Sequence, residues 1–372
     1  MHRTRLCLLA LLALLPLQAS DFSIRINRID AMAAAEWGRD RIGSLTIGVI
    51  EGGKLIWTRS YGEADMQRHI AANRDTVYRI GSITKQFTAV MLSQLVERGK
   101  VHLSDPVRRY VPEIRRIQGG YAGAAPITLF ELATHTSGLA REPDDAEAYL
   151  KGPVAQWDKL TVDALSHTRF VFEPGIHYAY SNVDYAVLGL ALERAAGQSY
   201  VEYMQTNILR PLGLEHTAFE PNLAIRGHIA TGYAVGKGRP DSTIPERELY
   251  GRGYKVPGGG LFSTVEDLAR FAAIWFGTVP ETVLQKHTLD EIFAQVVAAD
   301  ARLTRGYGRG FMVWRRGDVI AFGHGGSVAG YLSALYLDRA SRNGVIVLAN
   351  ENGGQAKPSS LAMRVLQMLA SG

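Results

Sequence analysis

The chain has 372 residues, 47% hydrophobic and 21% charged, with a formal net charge of +5. These are the proportions of a folded protein with one large unit or two intimately joined ones, and they set disorder aside. The positive excess is small and spread along the chain, with no block of like charge and no aromatic–basic stripe, so no nucleic-acid partner is expected.

The first residues, Met1-His2-Arg3-Thr4-Arg5, are followed by an apolar run from Leu6 to Leu15, a helix-breaking Pro16, and Leu17-Gln18-Ala19. A basic start, a short apolar centre and a small-residue exit read as a secretory signal peptide over residues 1–19, cut after Ala19. The apolar run is well short of the roughly 20 residues a spanning helix needs, so no stable membrane anchor is expected after cleavage. The remaining chain, 20–372, is expected to be exported to a periplasm or beyond. Cys7, the one cysteine, would leave with the leader, which excludes disulfides, thiolate catalysis and Cys-ligated metals from the exported part.

In chain order, Asn27 to Gly38 carries Ile29, Met32, Ala33 and Trp37 at near-helical spacing and predicts an amphipathic helix. Ser44–Ile50 and Lys54–Tyr61 are β-rich and joined across Gly52-Gly53, which suits a tight hairpin. Thr76–Ile80 reads as a short strand, Gly81 as a hinge, and Ser82 onward as a helix to Gly99 with Phe87, Val90, Met91, Leu95 and Val96 on one stripe. Between about 100 and 310 the pattern is helical but interrupted, with pieces at Ile127–Ala133, Val183–Ala196, Val201–Ile208 and Thr264–Phe276. Strand character returns at Phe311–Arg315, Val319–Gly323, Leu332–Asp338 and Gly344–Ala349, before a helix from Ser359 to Leu369. Strands at both ends with helices between predict an α+β chain: a sheet whose two halves are far apart in sequence (about 20–85 and 310–372) beside a mostly helical subdomain (about 86–309), with a cleft between them.

Three clusters carry chemistry. Ser82-Ile83-Thr84-Lys85 is the one Ser-x-x-Lys in the chain. Residues i and i+3 share a helix face, so the Lys85 amine can approach the Ser82 hydroxyl, and the helix N-terminus adds partial positive charge there. Ser82 is the candidate nucleophile and Lys85 its proton-handling partner. Tyr180-Ser181-Asn182 is the one Tyr-x-Asn. An ammonium beside Tyr180 would depress its pKa, so Tyr180 could take the Ser82 proton and return it to the leaving group. Asn182 could hold Lys85 and bind a substrate amide. His324-Gly325-Gly326-Ser327, on or beside the strand near Val319, offers glycines against which a substrate backbone can lie. The Ser327 amide could join that of Ser82 in an oxyanion hole. Taken singly, each cluster also fits a bland reading: a capping serine with a solvated lysine, a buried tyrosine, a glycine-rich hairpin.

In this order and at these separations, the three clusters resemble the motifs of the class C β-lactamase, D-alanyl-D-alanine carboxypeptidase and related esterase family. Further similar segments are Ile127–Leu139 (with His135-Thr136-Ser137-Gly138-Leu139), Pro174–Leu190, Pro211-Leu212-Gly213-Leu214, Gly258–Phe271 and Gly323–Asn350. The resemblance implies an antiparallel sheet flanked by helices with a mostly helical second subdomain and the active site in the groove between, and a serine hydrolase acting through an acyl-enzyme, with catalytic Ser82, Lys85 and Tyr180 and substrate-binding Asn182, His324, Gly326 and Ser327. It implies no metal or organic cofactor, a small-molecule or peptide substrate with an ester or amide bond, and a structural role for His135 and Ser137. One position departs from the β-lactamase pattern: His324 stands where lysine is usual, which weakens attraction for a substrate carboxylate near neutral pH and looks more like the peptidases and esterases. A catalytically weak penicillin-binding or sensor protein of the same fold is the alternative, and a label that failed to attach to Ser82 would favour it. An α/β-hydrolase would need a Gly-x-Ser-x-Gly elbow, which the chain lacks.

Overall fold

The computed structural model describes residues 6–316 and 319–370, with the side chains of the first helix described from residue 22 onward. The expected leader has residues 1–5 outside the described residues and the rest in the first part of helix α1 (Leu6–Trp37). Among the described residues no helix is long and apolar enough to cross a membrane.

The hairpin signal at Gly52-Gly53 is met by positive φ at both glycines (59° and 84°), joining β1 (Ser44–Glu51) to β2 (Lys54–Asp65) with Glu51 opposite Lys54. The main sheet adds β3 (Ile70–Ala71), β4 (Val297–Ala298), β5 (Arg305–Tyr307), β6 (Met312–Arg316), β7 (Val319–Val328), β8 (Tyr331–Asp338) and β9 (Asn343–Ala349). Its order is β3-β2-β1-β9-β8-β7-β6-β5-β4, and every pairing is antiparallel. The two ends of the chain therefore meet at β1 and β9, where Ile47 lies opposite Val347.

Strand alternation divides the core into two layers. Leu45, Ile47, Val49, Val345 and Val347 face one side, where they pack on Ile29 and Ala33 of α1 and on Leu361, Val365 and Leu366 of the C-terminal helix, Pro358–Ala370. Ile50, Leu335, Leu337, Ile346 and Leu348 face the other side and join the larger core with α2 (Thr84–Glu97) and the helix Val265–Trp275. Each such side chain contributes about 1.5–3 kcal/mol by leaving water. Gly48 allows the second layer to come close: a Cβ there would lie 2.2 Å from Val265 Cγ1.

Several elements differ from the sequence expectation for local reasons. The strand expected at Thr76–Ile80 shortens to Tyr78–Arg79, paired with Phe262–Ser263 instead of the main sheet. The helix expected at Val201–Ile208 is an α-turn, Tyr200–Met204, running into a π-turn, Gln205–Leu209. The helix expected from Ile127 begins at Leu129, because Thr128 and Glu131 form a reciprocal capping box. Finally, the strand expected to stop at Gly323 continues to Val328, which places the whole third cluster inside the sheet.

Candidate active site

The nucleophile candidate sits where two layers touch. Ser82 lies in a single 3₁₀ turn, Gly81–Ile83, and the α-helix proper starts at Thr84. Gly81 has φ +50° and no room for a side chain, since a Cβ would lie 2.9 Å from the Ser327 nitrogen. That turn is thereby pressed against β7, and the amides of Ser82 and Ser327 come from the two backbones in contact. Gly326 makes the approach possible from the other side, because its Cβ would stand 2.1 Å from the Ile80 oxygen.

Lys85, one turn along α2, is wholly buried. Its Nζ lies 3.3 Å from Ser82 Oγ and donates to Asn182 Oδ1 (2.9 Å) and to the Gly258 carbonyl (2.9 Å). The Tyr180 hydroxyl donates to Ser82 Oγ at 2.8 Å, and the Lys85 nitrogen sits 4.9 Å from the centre of the Tyr180 ring. Lys85 and Tyr180 thus converge on the Ser82 hydroxyl, with Asn182 held behind Lys85.

The electrostatics reverse one expectation. Lys85 does not depress Tyr180: removal from water pushes the Tyr180 phenol well above its ordinary value, and the hydrogen bond to Ser82 only partly opposes this. Lys85 is the group pushed down, by burial first and then by the charge of Lys255. A neutral amine has two N–H donors and one lone pair. As an ammonium Lys85 donates to Asn182, Gly258 and Ser82 Oγ; once deprotonated, with its two donors kept on Asn182 and Gly258, its lone pair would face the Ser82 hydroxyl proton.

His324 lies inside β7, only 4% exposed. Its Nδ1–H donates to the Gly325 carbonyl (2.6 Å), so Nε2 accepts from the Tyr307 hydroxyl (3.2 Å). Burial, reinforced by Lys85, pushes its pKa down to about 3, which makes it uncharged across the neutral range. Ser327 is exposed at the strand end, where its Oγ accepts from Asn352 Nδ2 at 3.0 Å. His135 and Ser137 do not touch Ser82. Both contact the Asp184 carboxylate, His135 Nδ1 at 2.9 Å from Oδ2, and burial pushes Asp184 up and His135 down. The His135 ring packs 4.4 Å from that of Tyr180, centre to centre, beneath the site.

A cleft of about 470 Å³ opens on these groups; its lining includes Ser82, Tyr180, Asn182, His324, Gly326 and Ser327, together with Arg141, Arg252 and Lys255. Sequence reasoning missed the last three and also Glu142, whose carboxylate accepts from Asn182 Nδ2 (2.7 Å), Lys255 Nζ (2.9 Å) and the Tyr254 hydroxyl. The available signal was weak: Arg141-Glu142 follows the His135–Leu139 segment after Ala140, but nothing in the spacing says that it folds back on Asn182. Among the described residues no group of three His, Cys, Asp or Glu side chains could hold a metal ion.

Comparison with known proteins accords with this geometry. The chain is 26% identical over 332 residues to Protein flp of Staphylococcus aureus (strain MRSA252), covering 88% of this chain but only 63% of that protein. It is 38% identical over 176 residues to the D-alanyl-D-alanine-carboxypeptidase/endopeptidase AmpH of Escherichia coli (strain K12), covering 47% of this chain and 44% of AmpH. Among solved structures, the octameric penicillin-binding protein homologue from Pyrococcus abyssi superposes with a TM-score of 0.76 at 26% identity, over 93% of this chain and 77% of that one. A class C beta-lactamase shares the fold at TM-score 0.76 and 19% identity, over 95% and 97% of the two chains. The beta-lactamase family profile matches residues 29–370, and with the α+β architecture and the convergence on Ser82 it establishes that this chain belongs to the beta-lactamase family.

Proposed function

We propose that this chain is a serine hydrolase that works through an acyl-enzyme on an ester or amide, with Ser82 as nucleophile. The observation that carries the reading is the convergence on Ser82 Oγ of the Tyr180 hydroxyl, which donates to it at 2.8 Å, and the buried Lys85 amine, 3.3 Å away. Lys85 takes the Ser82 proton as the oxygen attacks the carbonyl carbon. The carbonyl oxygen becomes negative against the amides of Ser82 and Ser327, at the N-terminal end of α2. Tyr180 gives its proton to the departing oxygen or nitrogen as that bond breaks, and the Lys85 ammonium returns one to the phenolate, so that both groups end neutral. Water then repeats the sequence on the acyl group and frees Ser82.

Substrate choice follows from the cleft walls. His324 is neutral, so it supplies no charge to a substrate carboxylate. This favours a peptidase or esterase over an efficient β-lactamase, while acylation by a β-lactam remains chemically available. Arg141, which lines the same cleft with its guanidinium 4.9 Å over the Tyr180 ring, supplies positive charge there. Export with removal of residues 1–19 belongs to the same reading and would show as a mature N-terminus at Ser20.

The test is turnover of a nitrophenyl acyl ester, a chromogenic cephalosporin and a D-alanyl-D-alanine peptide by wild type and Ser82→Ala. Hydrolysis that vanishes with Ser82 supports the mechanism, and the preferred substrate selects the subclass. Hydrolysis that survives the substitution refutes it, and no turnover by wild type would favour the sensor alternative.

A further inference from the structure

The Glu142 carboxylate lies one side chain away from the reacting groups, beyond Asn182, and accepts from three donors. Lys255 Nζ and Asn182 Nδ2 share Oε1 at 2.9 and 2.7 Å, and the Tyr254 hydroxyl takes Oε2. The amide of Asn182 has one acceptor and one donor end, and the two ends are not interchangeable here. Glu142 accepts only, so it holds the NH₂ end. The Oδ1 end is thereby turned to Lys85 Nζ, 2.9 Å away. The backbone is fixed at the same place, since the Asn182 N–H donates to the Arg141 carbonyl at 2.9 Å. Oδ1 and the Gly258 carbonyl accept two N–H bonds of Lys85, so the remaining direction of the amine, which carries its lone pair once it is deprotonated, points toward Ser82 Oγ, 3.3 Å away. Were the Asn182 amide turned over, two donors would face each other and the amine would lose that orientation.

We propose that Glu142, clamped by Lys255 and Tyr254, is a positioning residue that fixes which way the Asn182 amide faces and so aims the Lys85 amine at Ser82. This rests on the acyl-enzyme reading above. It assigns the Glu142–Lys255 pair to turnover, where an ordinary partly exposed ion pair would contribute little beyond stability.

The pair has a second consequence with a definite sign. Lys85 is faced by Glu142, Lys255 and Arg141 across Asn182, by Asp184 and Tyr185 from the helix Asn182–Ala196, by His324 from β7, and by His135 and Tyr180 from their loops. Of these, Lys255 disfavours the ammonium form of Lys85, and Glu142 favours it. Loss of the Lys255 charge therefore moves the acid limb of the rate profile to higher pH. Loss of the Glu142 charge moves it to lower pH.

Steady-state kinetics on a nitrophenyl ester across pH, with Glu142→Ala, Glu142→Gln and Lys255→Met, test the proposal. Glu142→Ala is expected to lower kcat by about tenfold or more with KM changed less than about threefold, as for a group that orders the reacting residues and does not hold substrate. Glu142→Gln and Lys255→Met, close in shape to the originals, are expected to shift the acid limb in opposite directions by about half a pH unit or more. A merely structural pair would lower the melting temperature in both variants and move neither limb. Limbs that stay put or shift together, or a Glu142→Ala kcat within about twofold of wild type, would overturn the proposal. Absence of wild-type turnover and of any Ser82 adduct would instead overturn the acyl-enzyme reading beneath it.

Discussion

Replacing Gly326 by alanine tests how the site is assembled, because the added methyl has nowhere to go. Its Cβ would lie 2.1 Å from the Ile80 oxygen and 2.2 Å from Ser333 Oγ, and these two atoms are themselves joined by a hydrogen bond of 2.8 Å. Neither can swing aside cheaply: one is backbone, and the other is a buried hydroxyl whose partner would be lost. Such overpacking costs typically about 1–3 kcal/mol of stability. The relief available is for β7 to move away from the Gly81–Ile83 turn, which carries the Ser327 amide away from that of Ser82. Loss of one oxyanion donor lowers kcat by roughly 10²–10³-fold. Gly325→Ala is the control, since its Cβ meets the Ser359 Oγ at 2.6 Å, the end of a side chain that can change rotamer. Ester hydrolysis and thermal melts of both variants give the comparison. A folded Gly326→Ala protein with wild-type kcat would refute the assignment of β7 as one wall of the reacting centre.

Other predictions concern charge. Lys85→Arg is expected to lower kcat by about a thousandfold or more although it keeps the positive charge, because guanidinium does not give up its proton and cannot serve as base; a small effect in ester kinetics would argue against a neutral Lys85. His324, with its pKa down at about 3 when folded, binds its proton more weakly than in the unfolded chain. Stability is therefore complete above its ordinary value near 6.5 and is lost as pH falls from there toward 3, by about 1.4 kcal/mol per pH unit for each such group. Chemical denaturation across that window should show a slope that shrinks in His324→Gln, and an unchanged slope would contradict the buried neutral assignment. Arg141→Gln is expected to reduce kcat/KM for acyl esters bearing a carboxylate several-fold more than for neutral ones, measured as the ratio of the two; a constant ratio would remove Arg141 from substrate selection.

Much of the framework was legible because it depends on short-range rules. The Ser82–Lys85 spacing, the Gly52-Gly53 hairpin and the strand character of β1 and β9 are set by helix and strand geometry alone. The close approach of Gly81 and Gly326 was legible only as flexibility. That two glycines are needed to let one backbone lie on another follows from packing between residues far apart in sequence. The proton arrangement was legible only in naming Lys85 as a partner of Ser82: the proximity of Lys85 suggested a lowered Tyr180 pKa, whereas the burial that raises it is a tertiary property. Glu142 was missed for the same reason: its loop reads as ordinary charged surface until Asn182, Tyr254 and Lys255 close around it.

The central claim is that Ser82 carries the acyl group, and intact-protein mass spectrometry during turnover of a slowly released acyl donor addresses it most directly. The account predicts a mass increase equal to the acyl group, located by digestion to the peptide containing Ser82, and no increase in Ser82→Ala. An adduct on another residue, or hydrolysis by Ser82→Ala at the wild-type rate, would contradict it.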